Sequence, residues 1–209
     1  SSTADGEHTT ETIDRVLGGD GNGGEDNETE DWPSTVDGGN NHGVSGSGMR
    51  LLSYASPERY VDLFGIQGKV TSNMLVGTFV SIIRLDTDEE VLGVFHEYAH
   101  NPNHQQAIHS TLQLTAHGMN VEDRSPRFGA PPSITTPQGD VIPLSFIDGL
   151  PMLRLRCPTD MEVVSTRRIH LTGSGSWDPS RYDQPPNIDP TVPRDPATQL
   201  PPMDPVDIH

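Results

Sequence analysis

Asp37 is the aspartate whose sequence context best suits acid–base chemistry. It follows the apolar Val36 and leads into a glycine-rich turn, Gly38-Gly39-Asn40. Glycine adopts backbone conformations that a Cβ forbids, so this stretch can form a tight loop that presents a carboxylate at the end of a strand. A carboxylate held in this way can accept and donate protons. The alternative is a surface Asp-Gly turn without a chemical role.

A second pattern with chemical meaning lies at residues 96–100, which read HEYAH, and His104 follows. On a helix, the His-Glu-x-x-His spacing places two imidazoles on one face with the glutamate beside a metal-bound water. The apolar run at residues 91–95 predicts a strand instead, on which the histidines would stand about 13 Å apart, too far for one tetrahedral ion. We interpret the segment as a strand end with solvated histidines. The alternative metal ligands are His96, Glu97, His100 and His104.

Composition and charge narrow the classes of function. The net charge of −17 over 209 residues disfavours nucleic-acid binding, which needs clustered lysine and arginine. The one cysteine, Cys157, excludes an internal disulfide framework and favours a reducing intracellular compartment such as the cytoplasm. No apolar run approaches the about 20 residues of a membrane helix, so we expect no membrane partner. The nearest approach to a basic patch, interpreted as a solvated sheet face, is Arg154, Arg156, Arg167 and Arg168.

The apolar residues are concentrated in the middle of the chain. Residues 1–33 are acidic and glycine-rich, and residues 184–209 are rich in proline and aspartate. Neither flank can bury enough apolar surface to offset its ordering entropy, so both are predicted to be disordered. Between them we expect a β domain at residues 34–125 and a C-terminal β extension at residues 126–183.

Strand patterns dominate this central block, because β-branched and aromatic residues alternate with turn signals. Residues 74–98 are predicted to form a hairpin, and Pro137–Asp140 is predicted to be the turn of a second one. The predicted strands are Met49–Leu52, Tyr60–Ile66, Met74–Leu85, Val91–Glu97, Ile134–Thr136, Val141–Leu144 and Met152–Arg156. The expected fold class is mainly β.

One short helix is predicted at Ser110–His117. Ser110 can cap its amino end, apolar residues supply one contact face, and Gly118 stands where a helix commonly ends. We expect no other helix in the chain.

The order of these features resembles the protease region of copia-class retrotransposon polyproteins, in particular the divergent type of diatoms and other algae. The resemblance runs from about Val36 to Asp183. It rests on the linked segments VDGGNNHGVSGSGMRLL, VDLFGI, GVFHEYAH, IHSTLQLTAHGMNVEDRSPRFG, ITTPQGDVIPLSFIDGLPMLRLRCPTD and HLTGSGSWDPSRYD. It implies a small retropepsin-like, acid-protease β-barrel, followed by an extension leading toward the integrase region.

The resemblance also implies roles for single residues. Asp37 matches the catalytic aspartate, and Gly39 matches the glycine that lets the loop approach the substrate. Gly38 departs from the family pattern, because Ser or Thr usually stands there and its hydroxyl ties the two active-site loops together. Asn40 also departs, since Ala is common at its position. The implied catalytic set is Asp37, Gly38 and Gly39, without a cofactor.

The chain offers one such loop, so an active enzyme would be a homodimer with an Asp37 from each copy. Two adjacent carboxylates share a proton, and together they can activate water against a polyprotein-derived peptide. The leading hypothesis is therefore an aspartic endopeptidase that matures the polyprotein. One alternative is a non-catalytic retroelement remnant or structural spacer, which the missing hydroxyl at Gly38 favours. The other alternative is the zinc metallopeptidase.

Overall fold

The computed structural model describes residues 31–64, 70–102 and 105–183, and the fold within them is mainly β. The flanks predicted to be disordered lie outside the described residues, apart from residues 31–33. The strands are β1 Trp32–Asp37, β2 Arg50–Tyr54, β3 Tyr60–Phe64, β4 Val70–Arg84, β5 Glu90–Ala99, β6 Ile108–Ser110, β7 Asn120–Glu122, β8 Ser133–Thr135, β9 Val141–Pro143, β10 Ser145–Ile147, β11 Leu150–Leu155 and β12 Arg168–His170. The helices are α1 Thr111–Ala116 and α2 Asp160–Ser165, followed by a 3-10 turn at Pro179–Tyr182.

The strands close into a ring, and β1 is one of its members. One sheet has the order β10-β11-β1-β6, in which β1 runs antiparallel to β11 and parallel to β6. A second sheet has the order β12-β5-β4-β2, and β3 pairs with β4. Val44 bridges Ala99 of β5 to Ile108 of β6, and Ile82 of β4 bridges to Arg156 beyond β11. The two sheets are therefore joined at two places, through Val44 between β5 and β6 and through the bridge between β4 and the residue after β11.

The largest buried cluster fills this ring. It contains Phe79, Phe95 and Tyr98 from the β4–β5 hairpin, together with Leu114 from α1 and Leu153 from β11. Residues on both sides of position 125 thus share one core, and β11 and β12 pair directly with β1 and β5. The β domain and the C-terminal extension form one packed unit rather than two independent ones.

The predicted hairpins are present. β4 and β5 pair antiparallel, from Arg84 opposite Glu90 near the turn to Val76 opposite Ala99 at the far end. This pairing confirms the hairpin expected from the sequence. β8 and β9 pair around the predicted turn, where the Thr136 amide donates to the Asp140 carbonyl at 2.9 Å. β3 begins at Tyr60 as predicted, and residues 65 and 66 of that prediction lie outside the described part of the chain.

The predicted helix is confirmed as α1, but the expectation of a single helix was wrong. α1 begins after Ser110, whose side chain accepts the Gln113 amide, and it is followed by Gly118 with φ +85°. α2 is a second helix, and a capping box between Thr159 and Glu162 caps its amino end. This Thr-x-x-Glu pattern is a helix-start signal that can be read in the sequence, although α2 itself has no fully buried residue. No helix of the described residues is long and apolar enough to span a membrane.

An ion pair adds to the capping of α2. The Arg156 guanidinium donates to Glu162 at 2.7 Å, and it holds the pKa of that carboxyl at about 2. Val163 on the inner face packs against the outer side of β4 and β5. α2 therefore covers the second sheet on the side away from the ring.

Truncating Leu153 should test whether the segments before and after position 125 unfold together. Leu153 is fully buried in the shared core, so Leu153→Ala should lower the free energy of unfolding by about 2–5 kcal/mol. Urea titrations followed by circular dichroism and by tryptophan fluorescence should give one coincident transition. The matched control is Leu150→Ala, because Leu150 lies on the same strand and is half exposed. Two separated transitions, or equal effects of the two variants, would contradict a shared core.

Candidate active site around Asp37

Asp37 is the last residue of β1 and lies beside Ser110, the residue at which β6 passes into α1. Its side chain is half-buried, and Oδ1 accepts the Gly39 amide hydrogen at 2.8 Å. Among the described residues, none donates a hydrogen bond to Oδ2. The carboxylate therefore stands at a strand end with one oxygen fixed by the turn and the other open.

The two glycines after Asp37 differ in the space around them. A Cβ on Gly39 would lie 3.3 Å from Asp37 Oδ1, a tight contact with the same oxygen that the Gly39 amide holds. A Cβ on Gly38 would meet its nearest neighbour, Asp123 Oδ2, at 3.9 Å, an ordinary contact distance. Position 38 therefore has room for a Cβ. Asp123, after β7, is a carboxylate beside the turn that the sequence did not single out.

The residues that follow Asp37, numbers 38–43 and hereafter the Asp37 loop, are held on one side by the start of α1. The Ser110 hydroxyl donates to the Asn40 carbonyl at 2.6 Å. The Gln113 side-chain oxygen accepts the Gly43 amide hydrogen at 2.9 Å. The loop is thus attached at Asn40 and at Gly43 to the cap and first turn of α1.

Gln113 also connects α1 to β5. It is buried, and its amide nitrogen donates to the carbonyls of His96 and Glu97, each at 3.2 Å. These carbonyls are available because β5 has a register shift at this point and Glu97 has a φ of +61°. Thr172 supports the same bulge by accepting the His96 amide hydrogen at 2.7 Å. The bulge therefore directs two carbonyls toward α1.

The side chain of Glu97 forms the centre of a buried polar cluster next to the Asp37 loop. We define this Glu97 cluster as Arg59, Glu97, Trp177 and His42. The Glu97 carboxylate pairs with the Arg59 guanidinium and accepts the Trp177 backbone amide hydrogen at 3.0 Å. Burial lowers the pKa of His42 to about 4, against the opposing effect of Glu97. His42 is therefore neutral at pH 7, and its Nε2 has no partner among the described residues.

His96 and Glu97 lie on β5, the strand that the sequence predicted, and His100 directly follows its last residue. Their side chains have separate surroundings. His96 Nε2 lies 3.0 Å from His170 Nδ1, whereas His100 Nδ1 lies 2.8 Å from the Tyr54 hydroxyl. Glu97 belongs to the buried cluster described above. The strand and its bulge therefore do not bring the two imidazoles and the carboxylate to one point.

The remaining alternative metal ligand, His104, lies outside the described residues. Across residues 31–64, 70–102 and 105–183, no group of three or more His, Cys, Asp or Glu could hold a metal ion. The zinc alternative stays a prediction from the sequence, and the strand geometry of its first three ligands does not support it.

A second buried polar chain lies behind Asp37. The Ser34 hydroxyl donates to the Leu153 carbonyl at 2.8 Å, so it must accept the hydrogen of His109 Nε2 at 2.8 Å. His109 Nδ1 is then the acceptor for the Tyr98 hydroxyl at 3.0 Å. Every group is satisfied only while His109 is neutral, and burial lowers its pKa to about 3.

Sequence reasoning located Asp37, Gly38 and Gly39 on one loop, but it missed the groups that hold this loop. Gln113, Glu97 and Trp177 come from distant parts of the chain, and the bulge that aligns them has no clear local signal. No protein-family model, curated protein or solved structure matches this chain. The assignment of a function therefore depends on the geometry of the site.

The two buried histidines should make stability depend on pH. The unfolded chain binds protons at both near pH 6.5, whereas the folded pKa values are about 4 for His42 and about 3 for His109. Their contribution is complete above about pH 6.5 and is lost as the pH falls toward the folded values. Urea titrations should thus give a free energy of unfolding that declines as the pH is lowered from about 7 to about 5. Most carboxylates titrate below this pH range.

His109→Gln should reduce this decline, because it removes a fully buried histidine whose folded pKa is about 3. Burial also lowers the pKa of His96, His100 and His117, so part of the slope should remain in this variant. A flat profile in the wild type, or an unchanged slope in His109→Gln, would contradict the assignment.

Proposed function

We propose that this chain is an aspartic endopeptidase that works as a homodimer, with Asp37 from each copy forming the catalytic pair. The observation that carries the proposal is the state of the Asp37 carboxylate. It lies at the end of β1, the Gly39 amide holds Oδ1 at 2.8 Å, and Oδ2 receives no hydrogen bond from the described chain. One free carboxylate oxygen on a fixed loop is what a shared proton and a bound water require.

The surrounding fold supports the same proposal. A closed ring of strands holds β1 between β11 and β6, and α1 begins at the residue paired with Asp37. This arrangement is compatible with the retropepsin-like barrel that the sequence resemblance implies. It holds the Asp37 loop in place, since β1 pairs with β6 up to Asp37 and the side chains of Ser110 and Gln113 bond to the loop itself.

In the proposed reaction, the two carboxylates hold one proton between them, because adjacent like charges cannot both ionise easily. The ionised Asp37 accepts a proton from water, and the water oxygen forms a bond to the peptide carbonyl carbon. The protonated Asp37 of the second copy gives its proton to the carbonyl oxygen. Transfer of a proton to the amide nitrogen then breaks the C–N bond and releases an acid and an amine. The substrate would be a peptide of the parent polyprotein, and no cofactor is needed.

A second candidate function is a non-catalytic remnant or spacer. Gly38 favours it, because a missing Ser or Thr hydroxyl removes a hydrogen bond of about 0.5–1.5 kcal/mol that would tie the two loops together. The folded domain would then be kept for the position it holds in the polyprotein. The two candidates differ in whether a dimer of the chain cleaves peptides.

Replacing Asp37 tests the proposal directly. Asp37→Asn keeps the size and turn preference of the residue but ends proton exchange, so cleavage of a polyprotein-derived peptide should be lost while the circular dichroism spectrum is unchanged. Specific activity of the wild type should also fall on dilution as dimers dissociate. Asp123→Asn is the matched control, because Asp123 is the other carboxylate beside the turn and lies 3.9 Å from where a Cβ of Gly38 would stand. Activity that survives Asp37→Asn would contradict the proposal, and concentration-independent activity that requires Asp123 would replace the dimer by an intramolecular pair.

Restoring the hydroxyl at position 38 should separate the two candidates. A Cβ at position 38 would make only an ordinary contact with Asp123, and Gly38→Ser should raise the cleavage rate by about 2- to 10-fold if the missing hydrogen bond limits activity. Gly38→Ala is the control, since it adds the Cβ without the hydroxyl. A folded dimer that cleaves nothing in either form would favour the spacer.

A further inference from the structure

The chain beyond β12 returns to the Asp37 loop. We define the C-terminal strap as residues 176–182, which include the 3-10 turn. We propose that Trp177 of this strap is a positioning residue, whose indole N–H holds the Asn41 carbonyl and thereby fixes the Asp37 loop. The effect on catalysis rests on the proposed function, whereas the effect on the loop does not.

Trp177 contacts the loop and the Glu97 cluster at the same time. Its indole nitrogen donates to the Asn41 carbonyl at 2.8 Å, across 136 positions of sequence. Its backbone amide donates to Glu97 Oε2 at 3.0 Å. The indole also stacks on Tyr182, with ring centroids 5.4 Å apart. Three contacts therefore hold Trp177, and the indole N–H faces the loop.

The Glu97–Arg59 pair anchors the strap to the ring. Arg59 lies in the segment between β2 and β3, and its guanidinium donates both to Glu97 and to the Ser176 hydroxyl, the latter at 2.7 Å. The Glu97 side chain is 8% exposed, so solvent and salt screen this pair less than a surface pair. Two successive residues of the strap, Ser176 and Trp177, thus bind the same ion pair.

The strap supports the part of the loop that α1 does not reach. α1 holds the Asn40 carbonyl and the Gly43 amide, and the Asn41 carbonyl lies between these two attachments. Asn41 is itself exposed, so its carbonyl would otherwise face water. Catalytic groups must be held closely to the productive geometry, and small displacements are costly in rate. The contact from Trp177 adds an attachment at Asn41 to those at Asn40 and Gly43.

Trp177→Phe is the variant that tests this role. Phenylalanine keeps an aromatic ring to stack on Tyr182 but removes the indole N–H. Tyr182→Phe is the matched control, because it alters the other member of the stacked pair and leaves the bond to Asn41 in place. Hydrogen–deuterium exchange of the 209-residue chain should show the amides of residues 38–43 exchanging about 2- to 10-fold faster in Trp177→Phe, as expected for one lost hydrogen bond. Tyr182→Phe should match the wild type.

Peptide cleavage supplies a second readout. Trp177→Phe should lower kcat by about 2- to 10-fold with little change in KM, because the indole touches the loop rather than the substrate. Unchanged exchange in the Asp37 loop would overturn the inference, whatever the activity. Equal losses of kcat in both variants would also overturn it, since they would reflect general loosening of the strap. Faster loop exchange in Trp177→Phe, with a wild type that cleaves nothing, would support the positioning role and contradict the proposed function.

Discussion

The rest of the site depends on the side-chain amide of Gln113. This one buried group accepts the Gly43 amide hydrogen from the Asp37 loop and donates to two carbonyls at the bulge of β5. It can do both because β6 passes directly into α1 and places Gln113 one turn after Ser110. An apolar residue of similar size would leave the Gly43 amide and the Glu97 carbonyl without these partners, and the His96 carbonyl with the Thr172 hydroxyl alone, which is costly. Gln113 therefore links the Asp37 loop, α1 and the β4–β5 hairpin to one another.

The bulge in β5 has a second effect, because it brings a carboxylate into a largely buried position. Glu97 is stable there only with partners, and Arg59 and the Trp177 backbone provide them. These partners come from the segment between β2 and β3 and from the C-terminal strap. A buried charge thus ties both distant segments to the neighbourhood of Asp37, at the expense of tolerance to substitution at either partner.

Much of the local structure could be predicted from the sequence. β-branched patterns located the β4–β5 hairpin, and Ser110 with Gly118 located α1, because these signals act within a few residues. The position of Asp37 at a strand end followed from Val36 and the glycines after it. α2 was missed although its capping box is local. The parallel pairing of β1 with β6, the role of Gln113 and the contact between Trp177 and Asn41 could not be predicted, because they depend on tertiary packing between distant segments.

The central claim is that two copies of Asp37 act together, and subunit mixing tests it most directly. Wild-type protein and Asp37→Asn would be equilibrated at constant total concentration, and peptide cleavage would be measured against the wild-type fraction. If both carboxylates are required, only wild-type pairs are active, so an equal mixture should retain about a quarter of the wild-type rate. A rate that falls in proportion to the wild-type fraction, to about half in an equal mixture, would show that one Asp37 is sufficient and would contradict the account.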